Sequence, residues 1–198
     1  MTLTALARPL LALALGAFLI VPAHADTAIF AGGCFWCVET DFDSVKGVIS
    51  TTSGYAGGTM ANPTYENHEG NVEAVRIEFD PAQVSYDQLV SAFLRSVDPT
   101  DDGGQFCDRG PAYKTAIFTF SDAQKASAAA AVKQAETDLG KKVVTPVKDF
   151  TTFGEAEDYH QDYHHKNPVK YKYYRFSCGR DAAVKDLWGD MARKGLGS

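Results

Sequence analysis

A pentapeptide with the sequence Gly-Cys-Phe-Trp-Cys, at residues 33–37, constrains the fold of this chain more than any other feature. It follows a short apolar run and precedes apolar residues at helical spacing, so a strand, a tight turn and a helix are predicted in that order. A thiol at such a turn lies beside unpaired N–H groups and the positive end of the helix dipole, which favours its thiolate. Cys34 is therefore the candidate nucleophile. Phe35 and Trp36 can line an apolar pocket, although ordinary core aromatics beside a passive thiol pair are the alternative.

Residues 1–25 are predicted to be a secretory signal rather than part of the fold. They contain one positive charge, Arg8, then an apolar run at residues 9–22 and the small-residue cleavage pattern Ala-His-Ala at residues 23–25. The apolar run is short for a membrane span, and no stop-transfer segment follows it. We therefore expect an exported protein, periplasmic if the source is a Gram-negative bacterium. An uncleaved N-terminal anchor is the alternative.

The remaining residues, 26–198, are sufficient for one domain with a sizeable core. The whole chain carries a formal net charge of −6, and removal of Arg8 makes the remainder more negative. Nucleic acid and anionic membrane surfaces are therefore not expected as partners. We find no internal repeat, linker or low-complexity tract in the sequence.

The four cysteines, Cys34, Cys37, Cys107 and Cys178, all follow residue 25. A disulfide framework is the default interpretation in an oxidising compartment, but a domain of this length does not need such staples, so redox chemistry is favoured. A zinc site is the other possibility, because acidic residues and histidines alternate between residues 155 and 165. Their mixture with Tyr and Lys is more typical of a solvated surface, so no metal is expected.

The order of predicted strands and helices indicates an α+β fold. Capping boxes at Ser85 and Ser121 predict two helices, and Gly140 ends the second. We expect one domain with a mixed or antiparallel central sheet, a ferredoxin-like two-layer sandwich, followed by a long irregular C-terminal segment with one short helix. The strands are predicted at residues 28–30, 48–53, 72–80, 112–120 and 143–147, the last as an edge strand, and the terminal helix at residues 182–191.

Glu73 stands at the start of the most regular predicted strand. Alternation places it on the same face as Val75, Ile77 and Phe79, which is the more apolar face. A carboxyl group buried there has a raised pKa and suits a proton donor. The alternative is that Glu73 lies at the frayed end of the strand and is solvated.

Separate motifs follow one another in order over about residues 29–188. They are Ala-Gly-Gly-Cys-Phe-Trp-Cys at 31–37, Gly-Tyr-Ala-Gly-Gly at 54–58, Asn-Pro-Thr-Tyr at 62–65, Gly70 with Glu-Ala-Val at 73–75, Gly-Gln-Phe-Cys-Asp-Arg-Gly at 104–110 with Tyr113, and His164 or His165 with Lys-Asn-Pro at 166–168. In this order they resemble the A-type peptide methionine sulfoxide reductases. One departure is Asn71-Val72, where His-Ala or His-Thr is commoner in the family, and it affects pocket detail rather than chemistry.

The resemblance implies a role for each matching residue. Cys34 would attack the sulfoxide sulfur, Phe35 and Trp36 would hold the substrate methyl group, and Glu73 would protonate the sulfoxide oxygen. Tyr65 and Tyr113 would help to bind that oxygen, and Asp108 would position water and substrate. These roles agree with the residues themselves, because an S–O oxygen leaves only when protonated. Cys34 would then remain as a sulfenic acid.

A second thiol must condense with that sulfenic acid, and the resulting disulfide must be reduced by an external dithiol. Members of the family often place this resolving cysteine where the present chain has Lys172. We rank Cys178 first, then Cys37, then Cys107. In an exported setting we expect the reductant to be a thioredoxin-like dithiol, and we expect a monomer. The resemblance implies no metal and no organic cofactor.

Two rival interpretations remain open at this point. A C-x-x-C disulfide oxidoreductase would require Cys37 and would not require Glu73. A non-catalytic domain stapled by two disulfides would contain no free thiol. The favoured interpretation is a peptide-methionine (S)-S-oxide reductase.

Overall fold

The computed structural model describes residues 25–197. Residues 1–25, predicted as a signal peptide, therefore lie outside the described residues except for Ala25. The strands are β1 (Asp26–Ala31), β2 (Val48–Ala56), β3 (Val72–Phe79), β4 (Gly104–Gln105), β5 (Asp108–Arg109), β6 (Ala116–Thr119), β7 (Val147–Asp149) and β8 (Phe153–Glu155). The α-helices are α1 (Phe35–Asp43), α2 (Tyr86–Leu94), α3 (Asp122–Leu139), α4 (Tyr163–Lys166), α5 (Pro168–Ser177) and α6 (Arg180–Trp188), and two 3₁₀ turns lie at Pro111–Tyr113 and Gly189–Met191.

Six strands form one sheet in the order β7-β6-β1-β3-β2-β8, and β4 pairs with β5 in a separate short ribbon. The elements β1-α1-β2-β3-α2-β6 give the central strands, ordered β6-β1-β3-β2 and all antiparallel to their neighbours. This is the ferredoxin-like arrangement, in which each helix carries the chain across one intervening strand. Because β7 pairs parallel to β6, the whole sheet is mixed. The predicted fold class is confirmed.

The two faces of the sheet carry separate apolar clusters, because successive side chains of a strand point to opposite faces. The larger cluster packs helices α1, α2, α3 and α6 against one face, which includes Phe30, Val75 and Ile77. The smaller cluster covers the other face around Ile29 and Phe118. Glu73 shares the face of Val75 and Ile77, so its side chain is directed toward α1.

Capping side chains and a glycine determine where helices α2 and α3 begin and end. Ser85 and Gln88 form the predicted capping box at the start of α2, and the Ser121 hydroxyl accepts from the Gln124 N–H at the start of α3. Gly140 ends α3 with φ +61°, a left-handed conformation that favours glycine.

The C-terminal segment contains more helix than expected. Helix α6 lies close to the predicted terminal helix, but α5 was not predicted, because its Val169, Tyr173 and Phe176 are exposed and give no inward-facing apolar pattern. The fourth central strand, β6, begins later than predicted because a 3₁₀ turn occupies Pro111–Tyr113. The strand predicted at residues 143–147 lies further along the chain, at Val147–Asp149, and shares only Val147 with the prediction. It is an edge strand of the six-stranded sheet, as expected. Within residues 25–197, no helix has the length and apolar character needed to cross a membrane.

Candidate active site

The turn between β1 and α1 places Cys34 at the N-cap of α1. Gly33 has φ +79°, and a Cβ atom there would lie 2.6 Å from the Cβ atom of Gln105, so both conformation and space require glycine. Gln105 is fully buried and is held by hydrogen bonds to both main-chain groups of Asp98. The close approach of Gly33 to the Gln105 side chain therefore fixes the turn that presents Cys34.

Glu73 lies opposite this turn, at the start of β3, and is 2% exposed. Its Oε2 accepts a 2.9 Å hydrogen bond from the main-chain N–H of Phe35, the first residue of α1. Burial raises the pKa of Glu73 to about 8, against the lowering effect of the Phe35 hydrogen bond. The prediction that Glu73 lies on the buried face with a raised pKa is confirmed, and the solvated alternative is wrong.

Cys34 and Cys37 are both buried, and both are free. Burial raises the pKa of Cys34, and its hydrogen bond to Cys37 raises it further. That same hydrogen bond lowers the pKa of Cys37, and Arg180 and Arg175 lower it too. The expectation of a favoured Cys34 thiolate is therefore wrong for this resting state. The physical reason is that burial disfavours the charged thiolate, and the nearby Cys37 and Glu73 raise the pKa of Cys34 further.

A small pocket with a volume of about 80 Å³ joins these groups. It is lined by Cys34, Phe35, Trp36, Tyr65, Glu73, Asp108, Tyr113 and Tyr174. The structure thus brings together all seven residues that the sequence placed in catalysis or substrate binding. Cys37, Cys107 and Cys178 are not part of this lining.

Tyr65 comes from the long loop between β2 and β3, and Tyr113 from the 3₁₀ turn before β6. The loop is closed by Asn71, whose Oδ1 accepts from the Gly58 N–H at 3.0 Å, so the departure from the family pattern at this position has a structural role. Burial, followed by the nearby Glu73 charge, raises the pKa values of both Tyr65 and Tyr113. Both phenols therefore stay protonated at neutral pH and can donate hydrogen bonds into the pocket.

The indole of Trp36 is fixed by residues that the sequence did not reveal. Its Nε1–H donates to Nδ1 of His160 at 3.1 Å, and its ring stacks on Tyr163 at 3.8 Å and 7°. His160 is 2% exposed, and burial lowers its pKa, so it is neutral and can accept this hydrogen bond. The acidic, aromatic and His clustering at residues 155–165 was the available signal, but it was interpreted as a solvated surface.

Tyr174 lines the pocket itself, and the sequence did not predict it. Its hydroxyl donates to Oδ2 of Asp108 at 2.5 Å and also hydrogen-bonds the thiol of Cys34. Helix α5, which carries Tyr174, is attached to α1 through Arg175, whose guanidinium binds the fully buried Asp41 at 2.8 Å and the main-chain oxygen of Cys37 at 3.4 Å. No sequence signal identified this tyrosine among the several in the segment.

Cys107 and Cys178 form a disulfide with a Cα–Cα distance of 5.0 Å. The Cys178 sulfur lies 3.9 Å from Oδ2 of Asp108, so the disulfide stands directly behind the pocket wall. Cys178, ranked first as the resolving thiol, is therefore not free in this state. Because Cys34 and Cys37 are free, the alternative of two structural disulfides is wrong.

The histidines and acidic residues that were considered as zinc ligands lie in two different places in the structure. His164 and His165 lie with Asp43, their ligand atoms all within 4.8 Å of one another. His160 is instead bound to Trp36. Neither His164, His165 nor Asp43 belongs to the pocket, so the pocket chemistry is that of thiols, carboxyls and phenols.

The fold and this pocket define a thiol-dependent oxidoreductase with a buried acid. The family model described as peptide methionine sulfoxide reductase matches residues 26–192, and this chain belongs to that family. It is an oxidoreductase that acts on methionine sulfoxide.

Individual relatives agree with this assignment. The chain is 54% identical over 184 residues to peptide methionine sulfoxide reductase MsrA 2 of Rhizobium meliloti, covering 90% of this chain and 93% of the relative. It resembles the structure of methionine sulfoxide reductase A of Corynebacterium diphtheriae with a TM-score of 0.71 and 32% identity, covering 75% and 77% of the two chains. Mxr1 of Saccharomyces cerevisiae in complex with Trx2 shares the fold, with a TM-score of 0.53, 21% identity, and 72% and 87% coverage.

Proposed function

We propose that this protein reduces the S epimer of methionine sulfoxide, free and in proteins, by attack of Cys34 on the sulfoxide sulfur. One observation carries this proposal: the Cys34 thiol and the Glu73 carboxyl line the same pocket, and Glu73 accepts a hydrogen bond from the first amide of the helix that Cys34 caps. The nucleophile and the acid are thus held in fixed relative positions before substrate binds.

The acid step follows from the state of Glu73. With a pKa raised to about 8 by burial, its carboxyl group is largely protonated at neutral pH. Glu73 gives its proton to the sulfoxide oxygen as the Cys34 sulfur bonds to the sulfoxide sulfur, and the phenols of Tyr65 and Tyr113 hydrogen-bond that oxygen. The oxygen ends on Cys34 as a sulfenic acid, and methionine leaves. The substrate sulfur is reduced by two electrons, and the Cys34 sulfur loses two.

The apolar side of the pocket supports recognition of the methyl group. Phe35 is 1% exposed, and the indole of Trp36 is held against Tyr163 and His160. A rigid aromatic wall favours an apolar substituent, while the phenols and the acid bind the oxygen on the other side. Recognition of both groups at one sulfur centre selects one epimer.

Cys37 is the resolving thiol in this proposal, ahead of Cys178 and Cys107. It hydrogen-bonds Cys34 and is free, whereas Cys178 is bound to Cys107. The lowered pKa of Cys37 favours its attack on the Cys34 sulfenic acid, which releases water and forms a Cys34–Cys37 disulfide. A thioredoxin-like dithiol then reduces that disulfide by exchange, a role that Trx2 in complex with Mxr1 supports by analogy.

The cellular location, processing and oligomeric state of the protein are also part of the proposal. We infer export to an oxidising compartment, cleavage before Asp26, a monomer, and a role in the repair of oxidised proteins. The Cys107–Cys178 disulfide supports export, because structural disulfides persist in oxidising compartments.

The test is reduction of a methionine sulfoxide peptide, each epimer separately, with dithiothreitol. We expect wild type to consume the S epimer only, Cys34→Ser to be inactive, and Glu73→Gln to be strongly impaired. Turnover of disulfide substrates without turnover of either epimer would instead identify a C-x-x-C oxidoreductase. Activity of Cys34→Ser on the S epimer would refute the proposed nucleophile.

A further inference from the structure

Tyr174 connects the nucleophile to a carboxylate. Its hydroxyl donates to Oδ2 of Asp108 and is hydrogen-bonded to the Cys34 thiol. All three residues line the same pocket. The phenol oxygen of Tyr174 therefore lies between the Cys34 sulfur and a carboxylate, and it is hydrogen-bonded to that carboxylate.

The proposed reaction requires a group that removes the proton of the Cys34 thiol. Cys34 is only 5% exposed, and the helix amide beside it is occupied by Glu73. The thiolate is the attacking species, so the resting thiol must lose its proton when substrate is bound. Bulk water has little access to the sulfur, and Glu73 must keep its own proton for the sulfoxide oxygen. A separate base is therefore needed within the pocket.

We propose that Tyr174 is a catalytic residue that, together with Asp108, takes the proton of Cys34. The Cys34 proton passes to the Tyr174 oxygen while the Tyr174 proton passes to Asp108. The Cys34 sulfur is then free to bond to the sulfoxide sulfur, and the Tyr174 hydroxyl now donates to the thiolate. Glu73 supplies the proton that the departing oxygen carries into the sulfenic acid, and the proton on Asp108 returns to Glu73 between turnovers.

The charges around this path fit the direction of transfer. Asp108 is half-buried, and burial raises its pKa, while Tyr174 and Arg180 oppose that rise, so the carboxylate is a stronger base than a solvated one. Arg180 is 2% exposed, with its guanidinium bound to the main-chain oxygens of Gly32 and Ser96. The phenols of Tyr65 and Tyr113 line the same pocket and stay protonated. Glu73 and Cys37 also face the path, and their negative forms raise the pKa of Cys34. They increase the need for a base.

The Cys107–Cys178 disulfide holds the two members of this path together. Cys107 directly precedes Asp108, and Cys178 lies one helical turn after Tyr174. The covalent bond therefore fixes the loop that carries Asp108 against the helix that carries Tyr174. In this inference, which rests on the proposed function, the disulfide positions the base rather than resolving the sulfenic acid.

The test compares Tyr174→Phe with Tyr173→Phe, a matched control on the same helix, because Tyr173 is 74% exposed. The first readout is the single-turnover rate of methionine formation from the S epimer without reductant. The second is the pH dependence of Cys34 alkylation by iodoacetamide in Cys37→Ser background, which reports its thiolate. Circular dichroism checks that each variant is folded.

We expect Tyr174→Phe to lose about 100-fold in single-turnover rate and to shift Cys34 alkylation to higher pH, with Tyr173→Phe like wild type. Asp108→Asn should give a similar loss, and the double variant little more than either alone, because the two act as one path. If folded Tyr174→Phe keeps the wild-type rate and alkylation profile while Cys34→Ser is inactive, this inference is wrong and the proposed function stands. If Cys34→Ser is active, the proposed function itself fails.

Discussion

The main-chain N–H of Phe35 donates a 2.9 Å hydrogen bond to Oε2 of Glu73, which joins the first residue of α1 to the second residue of β3. This contact orients the acid toward the pocket that Cys34 also lines. Burial raises the pKa of Glu73 to about 8 and raises the pKa of Cys34, so the acid and the thiol are both protonated at rest. Proton movement within the pocket becomes part of the reaction.

Replacement of Glu73 by Gln keeps an acceptor for the Phe35 N–H but removes the acidic proton. We expect the single-turnover rate to fall by about 100-fold or more. Because the pKa of Glu73 is raised to about 8, the active protonated form is lost as pH rises through that value, and the wild-type rate should fall there. Rates measured on both sides of that pH check this. A Glu73→Gln variant with the wild-type rate and the same alkaline fall would contradict it.

Replacement of His160 by Phe preserves a ring of similar shape but leaves the Trp36 indole N–H without its acceptor. The indole should lose its fixed orientation, and we expect KM for the sulfoxide to rise about tenfold, which is the cost of one unsatisfied buried donor. Tyr159→Phe is the control, because Tyr159 is 57% exposed and packs beside the same ring. Equal KM values in the two variants would show that the hydrogen bond does not position Trp36.

Replacement of Arg175 by Ala leaves the fully buried Asp41 with Arg193 as its remaining cation, at 2.7 Å. Breaking a buried ion pair from one side costs about 3–5 kcal/mol, and Arg193 will offset part of it. We therefore expect a loss of about 2–4 kcal/mol in the free energy of unfolding, measured by urea titration. Lys172→Ala, an exposed change on the same helix, should have little effect. A loss no larger than that control would mean that Arg175 does not anchor α5.

Removal of the disulfide and removal of Cys37 should have different effects. Cys107→Ser/Cys178→Ser should still complete many turnovers with dithiothreitol, though more slowly, and should lose about 2–4 kcal/mol of stability. Cys37→Ser should form one methionine per protein rapidly and then proceed only as fast as dithiothreitol reduces the sulfenic acid directly. If the double variant stops after one turnover and Cys37→Ser does not, Cys178 is the resolving thiol, as the sequence suggested.

We expect the buried carboxyl group of Glu39 to make the free energy of unfolding depend on pH, independently of catalysis. It is 1% exposed, and burial raises its pKa to about 7. Since the folded state then binds a proton more tightly than the unfolded state, stability should fall as pH rises from the ordinary glutamate range to about 7. Glu39→Gln should remove that part of the decline. Urea unfolding of both proteins at acidic and mildly alkaline pH checks this, and identical pH dependence in both would contradict it.

The sequence predicted most of the fold because its signals were local. The alternation in β3, the capping boxes at Ser85 and Ser121, and the glycine at residue 140 each determine structure within a few residues. Helix α5 was missed because what holds it is a long-range ion pair between Arg175 and Asp41, which no periodicity reveals.

The same distinction applies to the site. Cys34, Glu73 and the flanking aromatics were found from motif and strand position, and the pocket contains them all. Tyr174 and His160 were not, because their importance depends on what they contact, Asp108 and Trp36, more than 60 positions away in sequence. The charge state of Cys34 was misjudged for a related reason, since the thiol is buried by residues from distant parts of the chain and burial raises its pKa.

The most direct test of the account is to add one equivalent of a methionine (S)-sulfoxide peptide to Cys37→Ser protein without reductant, trap with dimedone, and locate the adduct by peptide mass mapping. We predict one methionine formed per protein and dimedone on Cys34, with the Cys107–Cys178 disulfide intact. Methionine formation with Cys34 unmodified, or with the oxidation found at Cys107 or Cys178, would contradict the account.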